Sequence, residues 1–82
     1  MITTIIIEKE AMIKGRWLRV HIPYETTRSS LATIQDAQGA MLKKINLFQG
    51  NNSIDISHIM DDTVNVKIET PLETIYREIK LS

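Results

Sequence analysis

Apolar and polar residues alternate along most of the chain. The alternation is clearest in the segments 18–22 and 64–68, which read L-R-V-H-I and V-N-V-K-I. Successive side chains of a β-strand point to opposite faces, so a period of two predicts strands with one buried face. Valine, isoleucine and threonine, which favour strands, dominate these segments. The pattern therefore predicts an all-β chain.

The same pattern divides the chain into seven predicted strands. Leu18, Val20 and Ile22 are expected to point inward, with Trp17 and His21 on the opposite face. In the fourth strand we expect Met41, Ile45 and Leu47 on the buried side, and in the fifth Ile54 and Ile56. The segment 8–15 lacks a clear period and is predicted to be a loop. The predicted strands span residues 2–8, 16–24, 30–36, 40–48, 53–59, 63–69 and 74–81.

Turn signals separate these strands. Asp36-Ala37-Gln38-Gly39 suits a type I turn, because Asp bonds nearby backbone amides and Gly accepts a positive φ. Residues 49–52 and 60–62 predict two further turns, and residues 70–73 are expected to close a hairpin between the last two strands. Short strands separated by turns at regular spacing are typical of an antiparallel β-sandwich.

Composition narrows the possible partners and chemistry. The chain has 82 residues, which fits a single domain, and contains no cysteine for a disulfide or a thiolate metal site. Ten basic residues balance ten acidic ones, so the sequence lacks the positive charge that nucleic acid would require. No apolar run approaches the roughly 18 residues of a spanning helix. We expect no nucleic-acid partner and no membrane insertion, and any export signal is expected upstream of Met1.

The sequence offers no arrangement of side chains that predicts catalysis. His21 and His58 lie on different predicted strands without a second histidine nearby, so surface histidines are favoured over metal ligands. Asp55, Asp61 and Asp62 lack the order of ligands in an EF-hand loop and are explained as turn residues. The serines lack a nucleophile-elbow setting. The chain is therefore predicted to be no enzyme and to need no cofactor or metal.

Aromatic residues suggest a competing role. Many sandwich modules stack sugar rings on a flat row of Trp and Tyr side chains. Trp17 and Tyr24 are seven residues apart, which in a continuous strand would place them on opposite faces. A module that binds carbohydrate or a protein partner therefore remains an alternative, as does a structural spacer without a partner.

A family resemblance covers about four-fifths of the chain. It depends on a D-x-x-G turn at Asp36 and Gly39, a strand with Lys and Ile at residues 41–47, and a G-x-N-x-I-D-I-S segment that begins with Gly50 and Asn52. A V-K-I strand at residues 63–69 and a closing strand at residues 76–82 follow. In this order and spacing the segments resemble the type A C-terminal sorting domain of the Bacteroidetes type IX secretion system. The family's G-x-Y entry is replaced here by Asp62-Thr63-Val64.

The resemblance implies an immunoglobulin-like β-sandwich that acts as a non-catalytic address label. Such a domain ends a larger secreted protein, so the whole segment 1–82 is expected to be one domain following a cargo domain. Its expected partners are the outer-membrane translocon and the sorting protease, and its expected location is the periplasm in transit and then the cell surface or medium. The resemblance implies that the closing strand is recognised, through Tyr76, Arg77, Glu78, Ile79, Lys80, Leu81 and Ser82.

Overall fold

A computed structural model describes residues 5–12, 15–25 and 30–81. Seven antiparallel strands form two sheets, with strand orders β1-β2-β5 and β4-β3-β6-β7. The prediction of a small antiparallel β-sandwich of seven strands is therefore confirmed. The strands are β1 (Ile6–Met12), β2 (Gly15–Ile22), β3 (Ser30–Gln35), β4 (Met41–Leu47), β5 (Gly50–Asp55), β6 (Thr63–Glu69) and β7 (Thr74–Lys80).

The strand order is immunoglobulin-like, with one difference in the fourth strand. In a constant-type immunoglobulin domain the fourth strand belongs to the sheet of strands one, two and five. Here β4 pairs with β3 instead, because the tight turn after Asp36 returns the chain beside the strand it has just left. The chain then crosses to the other sheet at residues 48–49, so the predicted turn at 49–52 is a crossover whose last three residues already belong to β5.

Two predicted strands were placed wrongly. β1 begins at Ile6 and continues to Met12, so most of the segment 8–15 that was predicted to be a loop is strand. Its charged residues obscure the apolar period, but an edge strand tolerates them because it has only one neighbour. β5 begins at Gly50 and ends at Asp55, earlier than predicted, because the Asp55 carboxylate accepts the Ser57 amide and turns the chain.

The core lies between the two sheets and follows the predicted period of two. Leu18, Val20 and Ile22 of β2 are fully buried against the even-numbered residues of β3, β5 and β6. Met41 is 61% exposed and does not belong to the core, contrary to the prediction. The register between β3 and β4 shifts at Ile34 and Gln35, and this bulge turns Met41 outward. The buried apolar residues are Ile5, Leu18, Val20, Ile22, Ala32, Ile34, Leu47, Ile54, Ile56, Ile59, Val64, Val66, Ile68 and Leu81.

Candidate recognition surface

The strand β7, which the resemblance marks for recognition, forms one edge of the four-stranded sheet. Tyr76 lies on the outer face of that sheet and is 64% exposed, with the Lys67 ammonium 5.8 Å from the centre of its ring. Arg77, Glu78 and Lys80 are also exposed. These four side chains are accessible to a partner, and by register Tyr76, Glu78 and Lys80 lie on the outer face of the sheet.

The other described residues of the predicted recognition segment, Ile79 and Leu81, are not exposed to a partner in the same way. Ile79 is half-buried and packs against the core, and Leu81 is buried. These two side chains hold the end of β7 against the core, because alternate residues of a strand point to opposite faces. Ser82 lies outside the described residues. The accessible side chains of the segment are therefore those of Tyr76, Arg77, Glu78 and Lys80.

The backbone direction of β7 follows from two hydrogen bonds at its ends. The Leu81 amide donates to the Asp62 carbonyl at 2.6 Å, and the Thr70 amide donates to the Glu73 carbonyl at 2.8 Å. In an antiparallel pair, the backbone N–H and C=O groups of successive residues alternately point toward the neighbouring strand and away from it. The backbone groups of Tyr76, Glu78 and Lys80 consequently point toward the open edge of the sheet.

Two of these open-edge carbonyls already accept hydrogen bonds from basic side chains. Arg77 Nη1 donates to the Tyr76 carbonyl at 3.0 Å, and Lys9 Nζ donates to the Lys80 carbonyl at 2.7 Å. Lys9 belongs to β1 at the edge of the other sheet, so its side chain crosses the open side of the sandwich. The β7 edge is thus partly covered by the protein's own cations.

Arg16 fixes the end of β7 to the rest of the molecule. Its Nη1 donates to the Leu81 carbonyl at 3.1 Å and its Nη2 donates to the Ile59 carbonyl. The Arg16 amide also donates to Ser57 Oγ at 3.0 Å, and its carbonyl accepts the Ile56 amide. One residue of β2 therefore joins the β5–β6 connection and the end of β7. This role was not predicted from the sequence, because β2 and the two segments that Arg16 contacts are far apart along the chain.

The motif residues Asp36 and Gly39 build the β3–β4 turn. Asp36 Oδ1 accepts the amides of Gln38 and Ala40, each at 2.9 Å, and Gly39 has a φ of +88°. That left-handed conformation favours glycine, because a Cβ would be strained there. The predicted roles of both residues in a tight turn are confirmed.

The motif residues Gly50, Asn52 and Asp62 also have structural roles. Gly50 has a φ of +91° at the start of β5. Asn52 accepts the Phe48 amide at 2.9 Å and donates to the Phe48 carbonyl at 2.8 Å, so its side chain holds the crossover between the sheets. Asp62 contributes its carbonyl to Leu81. The motif residues on which the resemblance depends thus coincide with residues that shape turns and chain crossings.

A groove of about 490 Å³ opens on the side of the sandwich where β4 and β5 form the edges. Lys43 faces inward from β4 and donates through Nζ to the Asp55 carbonyl at 2.8 Å, which joins the two sheets. Two exposed apolar side chains line this groove, Met60 at 86% exposure and Leu42 at 39%. The groove is lined by Leu42, Lys43, Asp55, His58, Ile59, Met60 and Asp61.

Electrostatics in this groove favour an ionised Asp55. The Ser57 amide donates to the Asp55 carboxylate at 2.9 Å, and this hydrogen bond is the main reason that the pKa of Asp55 is lowered. The Ser57 hydroxyl and the positive charges of His58 and Lys43 act in the same direction. The groove consequently combines apolar side chains with acidic and basic ones, because Lys43 and His58 line it together with Asp55 and Asp61.

A smaller groove of about 240 Å³ lies on the outer face of the three-stranded sheet. Its lining includes Ile6, Glu8, Arg19 and His21, and His21 Nδ1 lies 3.0 Å from Asn51 Oδ1. Trp17 of β2 is half-buried and by register shares this face.

Tyr24 does not belong to that face. It packs against the core, and its hydroxyl contacts Thr70 Oγ1 at 2.9 Å and Glu73 Oε2 at 3.1 Å. Burial, assisted by Glu73, raises the pKa of Tyr24. Trp17 and Tyr24 therefore do not form one flat platform, which agrees with the expectation from the sequence. The reason differs in part, because β2 ends at Ile22 and Tyr24 lies beyond the strand.

The described residues contain no group of three or more histidine and acidic side chains positioned to hold a metal ion. In the same part of the chain, no helix has the length and apolarity to cross a membrane. Comparisons with protein-family models, with curated proteins and with solved structures gave no match for the chain.

Proposed function

We propose that this chain is a non-catalytic sorting domain whose folded surface is recognised by a protein-export machinery, as in the type A sorting domains of the type IX secretion system that it resembles. The supporting observation is that each segment of the resemblance corresponds to a discrete structural unit. The D-x-x-G segment is the β3–β4 turn, the G-x-N-x-I-D-I-S segment is β5 with its following turn, and the closing segment is β7.

The direction of the strands suits a domain attached behind a cargo. β1 runs from Ile6 to Met12, and its Lys9 contacts Lys80 near the end of β7. Arg16, which pairs with Ala11 near the end of β1, contacts the Leu81 carbonyl, so Ile5 and Leu81 lie at opposite ends of the sandwich. A cargo joined before Ile5 would leave the Leu81 end and the outer face of β7 accessible to the machinery.

A reporter experiment tests this proposal. A fluorescent or enzymatic reporter with a periplasmic export signal is fused before residues 1–82 and expressed in a type IX host. We expect the reporter at the cell surface or in the medium. Protease resistance of the fused domain shows that it is folded, and a folded domain whose reporter stays in the periplasm would contradict the proposal.

Variants of β7 test which surface carries the signal. Tyr76→Ser with Lys80→Ser removes two exposed side chains of the β7 face and should reduce surface delivery. Leu72→Ser is the matched control, because Leu72 is 70% exposed in the β6–β7 turn, away from that face. Equal delivery of both variants would exclude the β7 face as the signal while leaving the sorting role to another surface.

A second candidate function is binding of a carbohydrate or a protein partner, favoured by the groove at Glu8, Arg19 and His21 beside Trp17. An aromatic ring near hydrogen-bonding side chains is a common arrangement for sugar recognition. Glycan-array binding that is lost in Trp17→Ala and kept in Leu72→Ser, with both variants folded, would support this function. Absence of binding by the folded parent domain would count against it.

A further inference from the structure

We infer that the β4 edge is a strand-addition site for an extended peptide segment of another protein, with an acidic residue opposite Lys44 and apolar residues facing the groove of Leu42, Ile59 and Met60. This inference does not depend on the sorting role.

The first observation is the backbone direction of β4. Because the even-numbered residues of β6 form backbone hydrogen bonds with β7, the backbone groups of its odd-numbered residues point toward β3. The register of β3 with β6 and with β4 then directs the backbone groups of Lys43, Ile45 and Leu47 toward β3. The backbone groups of Lys44 and Asn46 consequently point to the open edge. No side chain of the described residues forms a hydrogen bond with them, in contrast to the Tyr76 and Lys80 carbonyls of β7.

The second observation is the groove beside this edge. In strand addition, backbone hydrogen bonds supply affinity and pockets for alternate side chains supply specificity. An added strand next to β4 would place every second side chain on the inner side, over half-buried Ile45 and the groove of Ile59 and Met60. Apolar side chains at these positions would cover surface that the domain leaves exposed.

Charge identifies the partner as another protein and not a second copy of this chain. Lys44 projects from the outer face in the same cross-strand row as Lys67. When two β4 edges pair in an antiparallel, centred register, the Lys44 side chains of both copies become direct or diagonal neighbours, which is unfavourable. An acidic residue opposite Lys44 would instead be attracted to it.

A peptide of matching chemistry tests the inference on the full chain. The probe is a capped seven-residue peptide in which valine and threonine alternate around a central glutamate. Methyl groups on its valine amides block one edge, so that the peptide cannot stack on itself. We expect the Lys44 and Asn46 amides to be protected from hydrogen exchange on binding. Protection of the Tyr76 and Glu78 amides instead, or of no β4 amide, would overturn the inference.

A charge exchange makes the test specific. The parent domain should bind the glutamate peptide about three- to fivefold more tightly than a peptide with a central lysine, which is the size of one cross-strand charge pair. Lys44→Glu should reverse this preference. An unchanged preference in that variant, with its fold intact, would contradict the assigned register.

Asn46→Pro tests the backbone contribution. Asn46 points its amide to the open edge, so proline removes no hydrogen bond of the sandwich but removes one donor to the peptide. We expect affinity for the glutamate peptide to fall at least about threefold, by analogy with the loss of one hydrogen bond. Glu78→Pro, the matched change on the β7 edge, should leave affinity unchanged, and equal losses in both variants would contradict the site.

Discussion

The sandwich has two open sides, one between the edge strands β1 and β7 and one between β4 and β5. A lysine bridges the two sheets on each side, but the two sides are protected to different extents. On each side, a lysine on the inner face of one edge strand donates to a backbone carbonyl on the edge strand of the other sheet. Lys9 reaches Lys80 on the β1–β7 side, and Lys43 reaches Asp55 on the β4–β5 side. Inward-pointing charges of this kind protect edge strands from uncontrolled pairing.

The difference lies in what surrounds each lysine contact. On the β1–β7 side, Arg16 and Arg77 add hydrogen bonds to the carbonyls of Leu81 and Tyr76. On the β4–β5 side a groove adjoins the lysine, and the β4 edge keeps its backbone groups accessible. The β7 edge, which the family resemblance suggests for recognition, is therefore the more protected of the two. Side chains of β7 remain available for recognition, whereas backbone pairing is favoured at β4.

The largest predicted effect concerns the core that both sides share. Ile56→Ala removes a fully buried side chain and should lower the free energy of unfolding by about 2 to 5 kcal/mol. Both edges should then open together, because the core supports both sheets. Urea denaturation measured by circular dichroism gives the change, and Leu72→Ala, at an exposed turn position, should cost under about 0.5 kcal/mol. A parent-like midpoint for Ile56→Ala would place this residue outside the core.

The next largest effect distinguishes the two sides. Arg16→Met keeps an apolar side chain but removes the donors to Leu81 and Ile59, so we expect a loss of about 2 to 3 kcal/mol. Hydrogen exchange should accelerate at the Leu81 amide more than in the β3–β4 pairing. Arg77→Met is the control, because its guanidinium contacts only the exposed Tyr76 carbonyl among the described residues. Equal acceleration on both sides would show that Arg16 supports the whole fold and not the β7 end.

The central and C-terminal strands could be predicted from the sequence because their signals are local. β6 matches its predicted bounds, since Val64, Val66 and Ile68 alternate without interruption and both neighbours of the strand bury the same face. The β3–β4 turn was also predicted correctly, because Asp36 and Gly39 suit its backbone within four residues.

The sheet edges and the groove could not be predicted because their causes are distant in sequence. Lys9 and Lys80 are 71 residues apart, and a charged residue inside a strand resembles a loop until its contact is known. The exposure of Met41 depends on a bulge that the apolar pattern does not reveal. The groove lies between β4 and residues 55–61, and the local pattern does not reveal that β5 joins the sheet opposite β4.

A smaller effect compares the two lysine contacts directly. Lys43→Met should lower the free energy of unfolding by about 0.5 to 1.5 kcal/mol, because its contact with Asp55 is partly buried. Lys9→Met should cost less, because its contact with Lys80 is exposed and competes with water. Methionine keeps the apolar stem in both variants, so urea midpoints isolate the lost donor. A larger loss for Lys9→Met would reverse the assigned order of the two contacts.

The smallest effect concerns the pH dependence of the groove side. The pKa of Asp55 is lowered in the folded protein, chiefly by the hydrogen bond from the Ser57 amide. The ionised carboxylate therefore stabilises the fold above its ordinary pKa of 3.8, and this contribution is lost as the pH falls through the lower value in the folded state. Asp55→Asn keeps an oxygen acceptor for the Ser57 amide without the charge. We expect its urea midpoint to lie below that of the parent near neutral pH and to converge with it in strong acid. Glu78→Gln, at an exposed position of β7, is the control. A gap between parent and Asp55→Asn that persists or widens in acid would show that the charge of Asp55 does not stabilise this side.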